Sequence, residues 1–352
     1  MKILYGVPGE GMGHATRAKV ILEHLVKTHE IRIVSSNKAY LFLKKIFPKQ
    51  TYQIKGFQFS YKDGVVSKSK TSVNIIKNAP ENLVTNFKKY KVLQDNFKPD
   101  IVISDFESFT YVYAKYHRIP IISIDNMQII DRGRIDVNIP ESERVNHTIA
   151  KAVVKAKLPN CNHYLISSFF DIELNKKNSV LVPPIIRKEI LDAEREIKNH
   201  ILIYQSSCSQ EIIIDVLNKL TEENFLLYGF NKDEIHGNVI LKKFSEREFI
   251  DNFRTAKAVF CNSGYSFITE ALFLNKPICT VPIKNQFEQY LNGTYIQKLG
   301  YGKMLEDFEL DGLRSFLNEL PDFQNRINEY KQKDNSLLFQ VLDNKLMEYA
   351  KK

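Results

Sequence analysis

The chain of 352 residues has no tryptophan, and its four cysteines, Cys161, Cys208, Cys261 and Cys279, include no CxxC pair. Thiols scattered this way exclude a zinc framework and a disulfide scaffold, and they read as buried side chains. His117, His147, His163, His200 and His236 are equally dispersed, without HxxxH spacing, so no imidazole metal centre is expected. No apolar run approaches the roughly 20 residues a membrane-spanning helix needs. The start, MKILYGVPGEG, reads as a short strand and turn rather than a signal peptide. These absences predict a cytoplasmic protein.

Acidic residues are scarce in one stretch. Between Lys38 and Lys98 thirteen lysines stand against Asp63, Glu81 and Asp95, a surplus that accounts for the whole net charge of +9. A solvated lysine face explains this as well as attraction to an anionic membrane surface or a charged acceptor does. Nucleic acid is not expected, because no nucleic-acid-binding module is visible.

What is present is a repeated strand-to-helix alternation in a chain too long for one core, which implies two α/β domains. Lys2–Val7 is an apolar strand, and a glycine-rich turn containing Gly9, Gly11 and Gly13 follows it. Ala15–Lys27 reads as a helix with Ala18, Ile21, Leu22, Leu25 and Val26 on one face. Strands at Ile31–Ser35, Tyr52–Phe57, Ile101–Ser104 and Pro120–Ile124 alternate with helices at Ala39–Phe47, Val73–Asn96 and Phe109–His117. Tyr61–Thr71 reads as a polar loop. The first domain closes near Tyr164–Ser167, and Val182, Pro183, Pro184 and Ile185 are the best linker, since two prolines stop regular structure. The expected division is 1–182, 183–335 and a helical tail, 336–352.

The pattern restarts with strands at Ile201–Tyr204, Phe225–Tyr228 and Val239–Leu241 and a helix at Glu246–Phe253. The most informative stretch is Cys261–Gly302. There an apolar run ends in Asn262, Ser263 and Gly264, a helix from Tyr265 to Leu274 follows, and Asn275, Lys276 and Pro277 stop it. A second short apolar run then leads to Gln286–Gln289 and a further helix. Two polar clusters thus fall just after strands, at the carboxyl edge where open α/β sheets bind ligands.

This segment resembles the donor-binding motif of GT-B glycosyltransferases, the group of the lipid II N-acetylglucosaminyltransferases (MurG), diacylglycerol glycosyltransferases and plant UDP-glycosyltransferases. In that group a Gly is followed six residues later by a Glu that holds the nucleotide ribose, and Gly264 and Glu270 keep the spacing. An acidic or Gln residue and a Gln read the sugar hydroxyls, with an Asn three positions on, which Glu288, Gln289 and Asn292 match. The resemblance implies two Rossmann-like domains facing across a cleft, acceptor on the first and donor on the second, and a tail crossing back to the first. It also implies an inverting, metal-independent transfer of a hexose or N-acetylhexosamine from a UDP-sugar to a hydroxyl, with no other cofactor. Asn262, Ser263 and Ser266 would lie near the diphosphate and Phe244 near the base. Asn262 stands where plant members have His, and Phe267 where the lipid II enzymes have Thr. Ser206 and Ser207, between a strand and a helix, have hydroxyls and backbone N–H groups suited to a diphosphate, although simple helix capping explains them equally.

In the first turn the dinucleotide pattern GxGxxG fails at His14, and no GKS/T follows to make a phosphate loop. The turn resembles the first loop of the same enzymes, where a His after the glycines sits near the acceptor hydroxyl, with Gly11 and Gly13 shaping the loop. An imidazole titrates near neutrality and can take a hydroxyl proton, which makes His14 the candidate base. Asp105 is the candidate partner carboxylate; Glu107 and Asp125 compete for that role, and each also reads as a helix cap. The lysine-rich region on the acceptor side motivates the expectation of a lipid-linked or cell-surface glycan acceptor at the inner membrane face. A UDP-sugar 2-epimerase of the same architecture and a non-catalytic nucleotide-sugar-binding protein are the rival readings.

Overall fold

The computed structural model describes residues 1–9, 11–55, 61–62, 65–66, 96–205 and 208–350. The expected helix Val73–Asn96 lies almost wholly outside them, as do Ser206, Ser207 and most of the lysine-rich stretch. The chain forms two compact units. The first contains Met1–Tyr61, Val66–Arg187 and Asn335–Lys352, and the second is chiefly Lys188–Asp334.

The first unit runs β1 (Lys2–Val7), α1 (Met12–Leu25), β2 (Glu30–Ser35), α2 (Asn37–Ile46) and β3 (Thr51–Gln53). Two short paired strands follow, β4 (Tyr61–Lys62) and β5 (Val65–Val66), inside the stretch expected to be a polar loop. Then come β6 (Ile101–Ser104), α3 (Ser108–His117), β7 (Ile121–Asp125), α4 (Ile129–Arg132), α5 (Glu141–Lys157), β8 (His163–Ser167) and β9 (Ser179–Val182). Seven strands make one sheet in the order β3-β2-β1-β6-β7-β8-β9, every pair parallel. Every residue of β6 and β7 is buried, as continuous apolar strands are when helices cover both faces. On α1, Ala18, Ile21, Leu22 and Leu25 enter the core, while Val26 falls just past the helix end and is exposed.

The expected boundary after residue 182 is displaced. Val182 ends strand β9, and both Val182 and Ile185 pack into the first core, so the second unit begins at Lys188. The prolines follow an edge strand rather than separating two domains. Helix α5 escaped the sequence reading for a different reason. Only Val154 of this helix is buried, and Val145, Ile149 and Val153 point outward, so no core-facing stripe marks it.

The second unit contains α6 (Lys188–Leu191), β10 (Ile201–Tyr204), α7 (Gln210–Leu217), β11 (Phe225–Tyr228), β12 (Glu234–His236), β13 (Val239–Leu241) and α8 (Glu246–Thr255). It continues with β14 (Ala258–Cys261), α9 (Tyr265–Phe273), β15 (Ile278–Thr280), α10 (Phe287–Lys298), β16 (Gly302–Met304), α11 (Leu310–Asn318) and α12 (Leu320–Ile327). Its sheet has the order β12-β13-β11-β10-β14-β15-β16, parallel except for the β12–β13 hairpin.

The last helix, α13 (Ser336–Ala350), belongs to the first unit. Leu338, Leu342 and Leu346 recur at helical spacing and are buried in the first core, each contributing about 2 kcal/mol. His24 fixes the register: its ring stacks on Phe339 at 4.1 Å, and its Nε2 meets Asp343 Oδ2 at 2.9 Å. Asn335 anchors the approach by hydrogen bonds to both the N–H and the carbonyl of Ile186.

Candidate active site

Each sheet has one point where its winding reverses. In the first, β1 leads to β2 on one side and β6 stands on the other; in the second, β10 leads to β11 and β14 stands opposite. Ligands of open α/β sheets bind beyond the carboxyl ends of the strands at such points. The turn before His14 follows β1, Asp105 follows β6, and Asn262–Gly264 follows β14.

Gly11 caps α1 at φ 72°, the left-handed region, and among the described residues nothing stands within 4 Å of where its Cβ would be. Gly13 and His14 lie in the first turn of α1, and the His14 side chain is 24% exposed. Its Nδ1 lies 3.0 Å from Asp105 Oδ1, bringing together residues 91 positions apart. Asp105 itself is buried, held at the strand end by its N–H donating to Gly6 O at 2.9 Å and followed by Phe106 at φ 58°.

The sequence left three carboxylates in competition, and their contacts separate them. Glu107 caps α3, accepting from the N–H groups of Phe109 and Thr110 and from the Thr110 hydroxyl. Asp125 accepts from the Ser123 hydroxyl and from Gln128 N–H. Only Asp105 meets His14. Burial would raise the Asp105 carboxyl, but Arg17 and His14 beside it hold it below the ordinary range. Burial raises both Glu107 and Asp125 above theirs, as a carboxyl bonded mainly to neutral donors should be. Asp105 is thus the one of the three kept charged by its surroundings.

Arg17 was missed. One turn beyond His14 and buried, it places Nη2 at 2.8 Å from His14 Nδ1 and 3.0 Å from Asp105 Oδ1, while Nη1 donates to Asn126 Oδ1 at 2.7 Å. The spacing of three from His14 on a helix was the available signal.

In the second unit Gly264 is the N-cap of α9 with φ −69°, a conformation open to any residue, and among the described residues nothing within 4 Å meets its missing Cβ. The fold does not demand this glycine, which leaves its backbone approachable from outside. Glu270 is buried on α9, while Asn262 and Ser266 are half-buried beside the turn. Asn292 Nδ2 donates both to Ser263 O at 3.0 Å and to Glu288 Oε1 at 2.8 Å, tying α10 to the turn after β14.

Two of the expected donor residues, Ser263 and Gln289, are buried. The Ser263 side chain is fully buried, so this residue offers its backbone and no accessible hydroxyl. The Gln289 amide is engaged in the loop: its Oε1 accepts from Ile283 N–H and its Nε2 donates to Gln286 Oε1, both at 2.9 Å. Phe244 is 60% exposed and packs on Phe249, and Phe267 stacks on Phe253 at 4.6 Å with an interplanar angle of 4°. The Thr-to-Phe departure thus serves an aromatic cluster. Tyr204, the half-exposed last residue of β10, stacks on Phe267 at 5.5 Å. Among the described residues no group of three His, Cys, Asp or Glu side chains could hold a metal ion.

Two predominantly parallel α/β units, each with polar turns at its reversal point, are the architecture of GT-B glycosyltransferases, and solved structures share it. Phytolacca americana UGT2, solved with UDP-2fluoro-glucose and pterostilbene, matches with a TM-score of 0.69 at 13% identity, over 97% of this chain and 98% of that one. The spinosyn rhamnosyltransferase SpnG complexed with thymidine diphosphate matches with a TM-score of 0.64 at 12% identity, over 97% and 100%. The family model described as glycosyl transferase family 1 matches residues 1–321, and the chain belongs to that family. An uncharacterized glycosyltransferase of Methanosarcina mazei is 25% identical over 87% of this chain and 86% of its own length. One from Methanosarcina acetivorans is 23% identical over the same shares.

Proposed function

We propose that this glycosyltransferase moves a hexose or N-acetylhexosamine from a nucleoside diphosphate sugar, UDP before dTDP or GDP, to a hydroxyl acceptor in one inverting step. The observation that carries the reading is the half-exposed His14 with Nδ1 directed at the buried Asp105. With Nδ1–H donating to Asp105, Nε2 holds the lone pair. It takes the acceptor proton as the hydroxyl oxygen bonds to the anomeric carbon and the diphosphate leaves with the electrons of the broken C–O bond. Asp105 then stabilises the imidazolium. On the donor side Glu270 would hold the ribose, Glu288 and Asn292 the sugar, and the N–H groups at the start of α9 the diphosphate. The acceptor belongs to the first unit and the donor to the second in this reading.

Thermal-shift titration with UDP, dTDP, GDP and their sugars tests it, because a ligand of the folded state raises the melting temperature by mass action. A shift with one nucleotide, lost in Glu270→Ala, is the expected result; no response at millimolar nucleotide refutes the donor site.

A peripheral membrane location, with a lipid-linked or cell-surface glycan acceptor, is supported by α5. Val145, Ile149 and Val153 form an exposed stripe at i, i+4 and i+8, flanked by Arg144, Lys151 and Lys155. A helix with that pattern suits an anionic interface, and among the described residues no helix is long and apolar enough to cross a membrane. Co-sedimentation with vesicles that requires anionic lipid and falls in V145S/I149S/V153S is expected. Sedimentation indifferent to lipid charge rejects this part.

A further inference from the structure

We infer that Arg17 is a positioning residue that shares the Asp105 carboxylate with His14, so that Asp105 orients the imidazole without holding it protonated. This rests on the reading of His14 as the base. Three atoms carry it: His14 Nδ1, Arg17 Nη2 and Asp105 Oδ1 lie 2.8 to 3.0 Å from one another. Arg17 is a donor in every accessible protonation state, Asp105 as a carboxylate is an acceptor, and only the imidazole can change role. If Nδ1 were bare, its lone pair would face the carboxylate oxygen at 3.0 Å. With the proton on Nδ1, two donors converge on one charged acceptor, and the Arg17 Nη2–H, 2.8 Å from Nδ1, points past the ring to Oδ1. With Nδ1 bare, that N–H would donate to the ring and the negative carboxylate would face the lone pair, the costlier contact of the two. The proton on Nδ1 leaves Nε2 as the basic nitrogen.

Charge accounting gives the arrangement its use. A buried aspartate with no other cation nearby draws a second proton onto a neighbouring histidine, and an imidazolium cannot act as a base. Here the guanidinium already answers the carboxylate. Asp105 follows β6, Arg17 comes from α1, Asp125 from β7 and Tyr5 from β1; these are the charged and titratable groups facing the pair among the described residues. Burial raises the Tyr5 hydroxyl well above its ordinary range, which keeps it neutral, and raises the Asp125 carboxyl, which is satisfied by Ser123 and Gln128. Asn126 Oδ1, accepting from Nη1 at 2.7 Å, keeps the guanidinium from swinging fully onto either partner.

The test reads the imidazole nitrogens of histidine-labelled protein directly and needs no turnover. In the wild type, Nδ1 of a neutral His14 ring should carry the proton. In Arg17→Met the ratio of imidazolium to neutral ring at a given pH should rise about tenfold. Arg17→Lys, which restores the charge, should bring the ratio back toward wild type. In turnover, the acid limb of kcat/KM should move up by about one pH unit in Arg17→Met, since one unit is a tenfold change in the protonated fraction. A folded Arg17→Met with an unchanged ring spectrum overturns the inference, and Arg17→Gln replaces it if the methionine variant does not fold. A wild-type ring with Nδ1 bare and the proton on Nε2 overturns it without any variant. If no nucleotide sugar supports turnover, the base reading fails, while the ring spectra still decide whether Arg17 and His14 share Asp105.

Discussion

The two units place polar residues at equivalent points of similar sheets, yet the two sites are built from different materials. In the first, a buried arginine, a buried carboxylate and a half-exposed imidazole form a compact cluster of ionisable groups. In the second, an amide on α10 reaches a backbone carbonyl of the turn after β14 and a carboxylate oxygen on its own helix, beside a glycine turn at a helix start. The first arrangement suits moving a proton, which needs a group whose affinity is set by neighbouring charge. The second suits holding a polyhydroxylated, anionic molecule by many weak contacts. Under the proposed function, the contrast assigns chemistry to one unit and recognition to the other.

Exchanging an alanine into each site should break the comparison along different kinetic axes. His14→Ala is expected to lower kcat by roughly 10²- to 10⁴-fold, the usual contribution of a positioned base, with nucleotide binding intact. Glu270→Ala should weaken nucleotide binding by about 1–3 kcal/mol, which is the cost of losing a hydrogen bond to a charged group. Its turnover at saturating donor should fall far less. Steady-state kinetics paired with calorimetric titration of the nucleotide reads both. Equal losses of kcat and of affinity in both variants would erase the division of labour.

Stability should divide the sites as well. Asp105→Ala removes the carboxylate that buried Arg17 bonds at 3.0 Å, and breaking a buried ion pair typically costs about 3–5 kcal/mol. The pH dependence has a worked sign. Asp105 is held below the ordinary carboxylate range when folded, so its stabilisation is present above the unfolded value and lost as the pH falls through the folded one, below about pH 4. Glu107 and Asp125 are raised and act oppositely, costing stability at neutral pH and giving it back as they protonate. Urea unfolding between pH 7 and pH 3 should therefore show a flatter acid loss for Asp105→Asn than for wild type. A steeper loss in Asp105→Asn would reverse the assignment.

Legibility followed the same line. The donor segment could be read because Gly264, Glu270, Glu288 and Asn292 lie within 29 residues, on a turn and two helices whose spacing the chain itself sets. The strands at Lys2–Val7, Ile101–Ser104 and Ala258–Cys261 were legible because burial on both sheet faces demands unbroken apolar runs. Arg17 was not legible, since its partners come from the ends of β6 and β7, 88 and 109 residues away. Spacing could not choose among Asp105, Glu107 and Asp125 either; only the Glu107 contacts to α3 and the Ser123 hydroxyl on Asp125 do so. Helix α5 stayed hidden because the signal used to find helices is a buried face, and its apolar side chains point outward.

The smallest expected effect tests whether the second site is held together by its own hydrogen bonds or by the ligand. Asn292 is 4% exposed, and one nitrogen serves Ser263 O and Glu288 Oε1 together. Asn292→Ala removes both bonds and leaves the buried Ser263 carbonyl without that donor, a loss of about 1–3 kcal/mol. Asn292→Asp keeps the size but replaces the donor with an acceptor facing an acceptor, and should cost more. If the amide's work is to fix α10 against the turn after β14, both variants lower the melting temperature without nucleotide. The increment that nucleotide adds should then stay as in wild type. If the amide instead acts on the sugar, the melting temperature without ligand stays near wild type. The added stabilisation by the nucleotide sugar then shrinks, while that by the bare nucleotide does not. Four melts per variant separate the two roles.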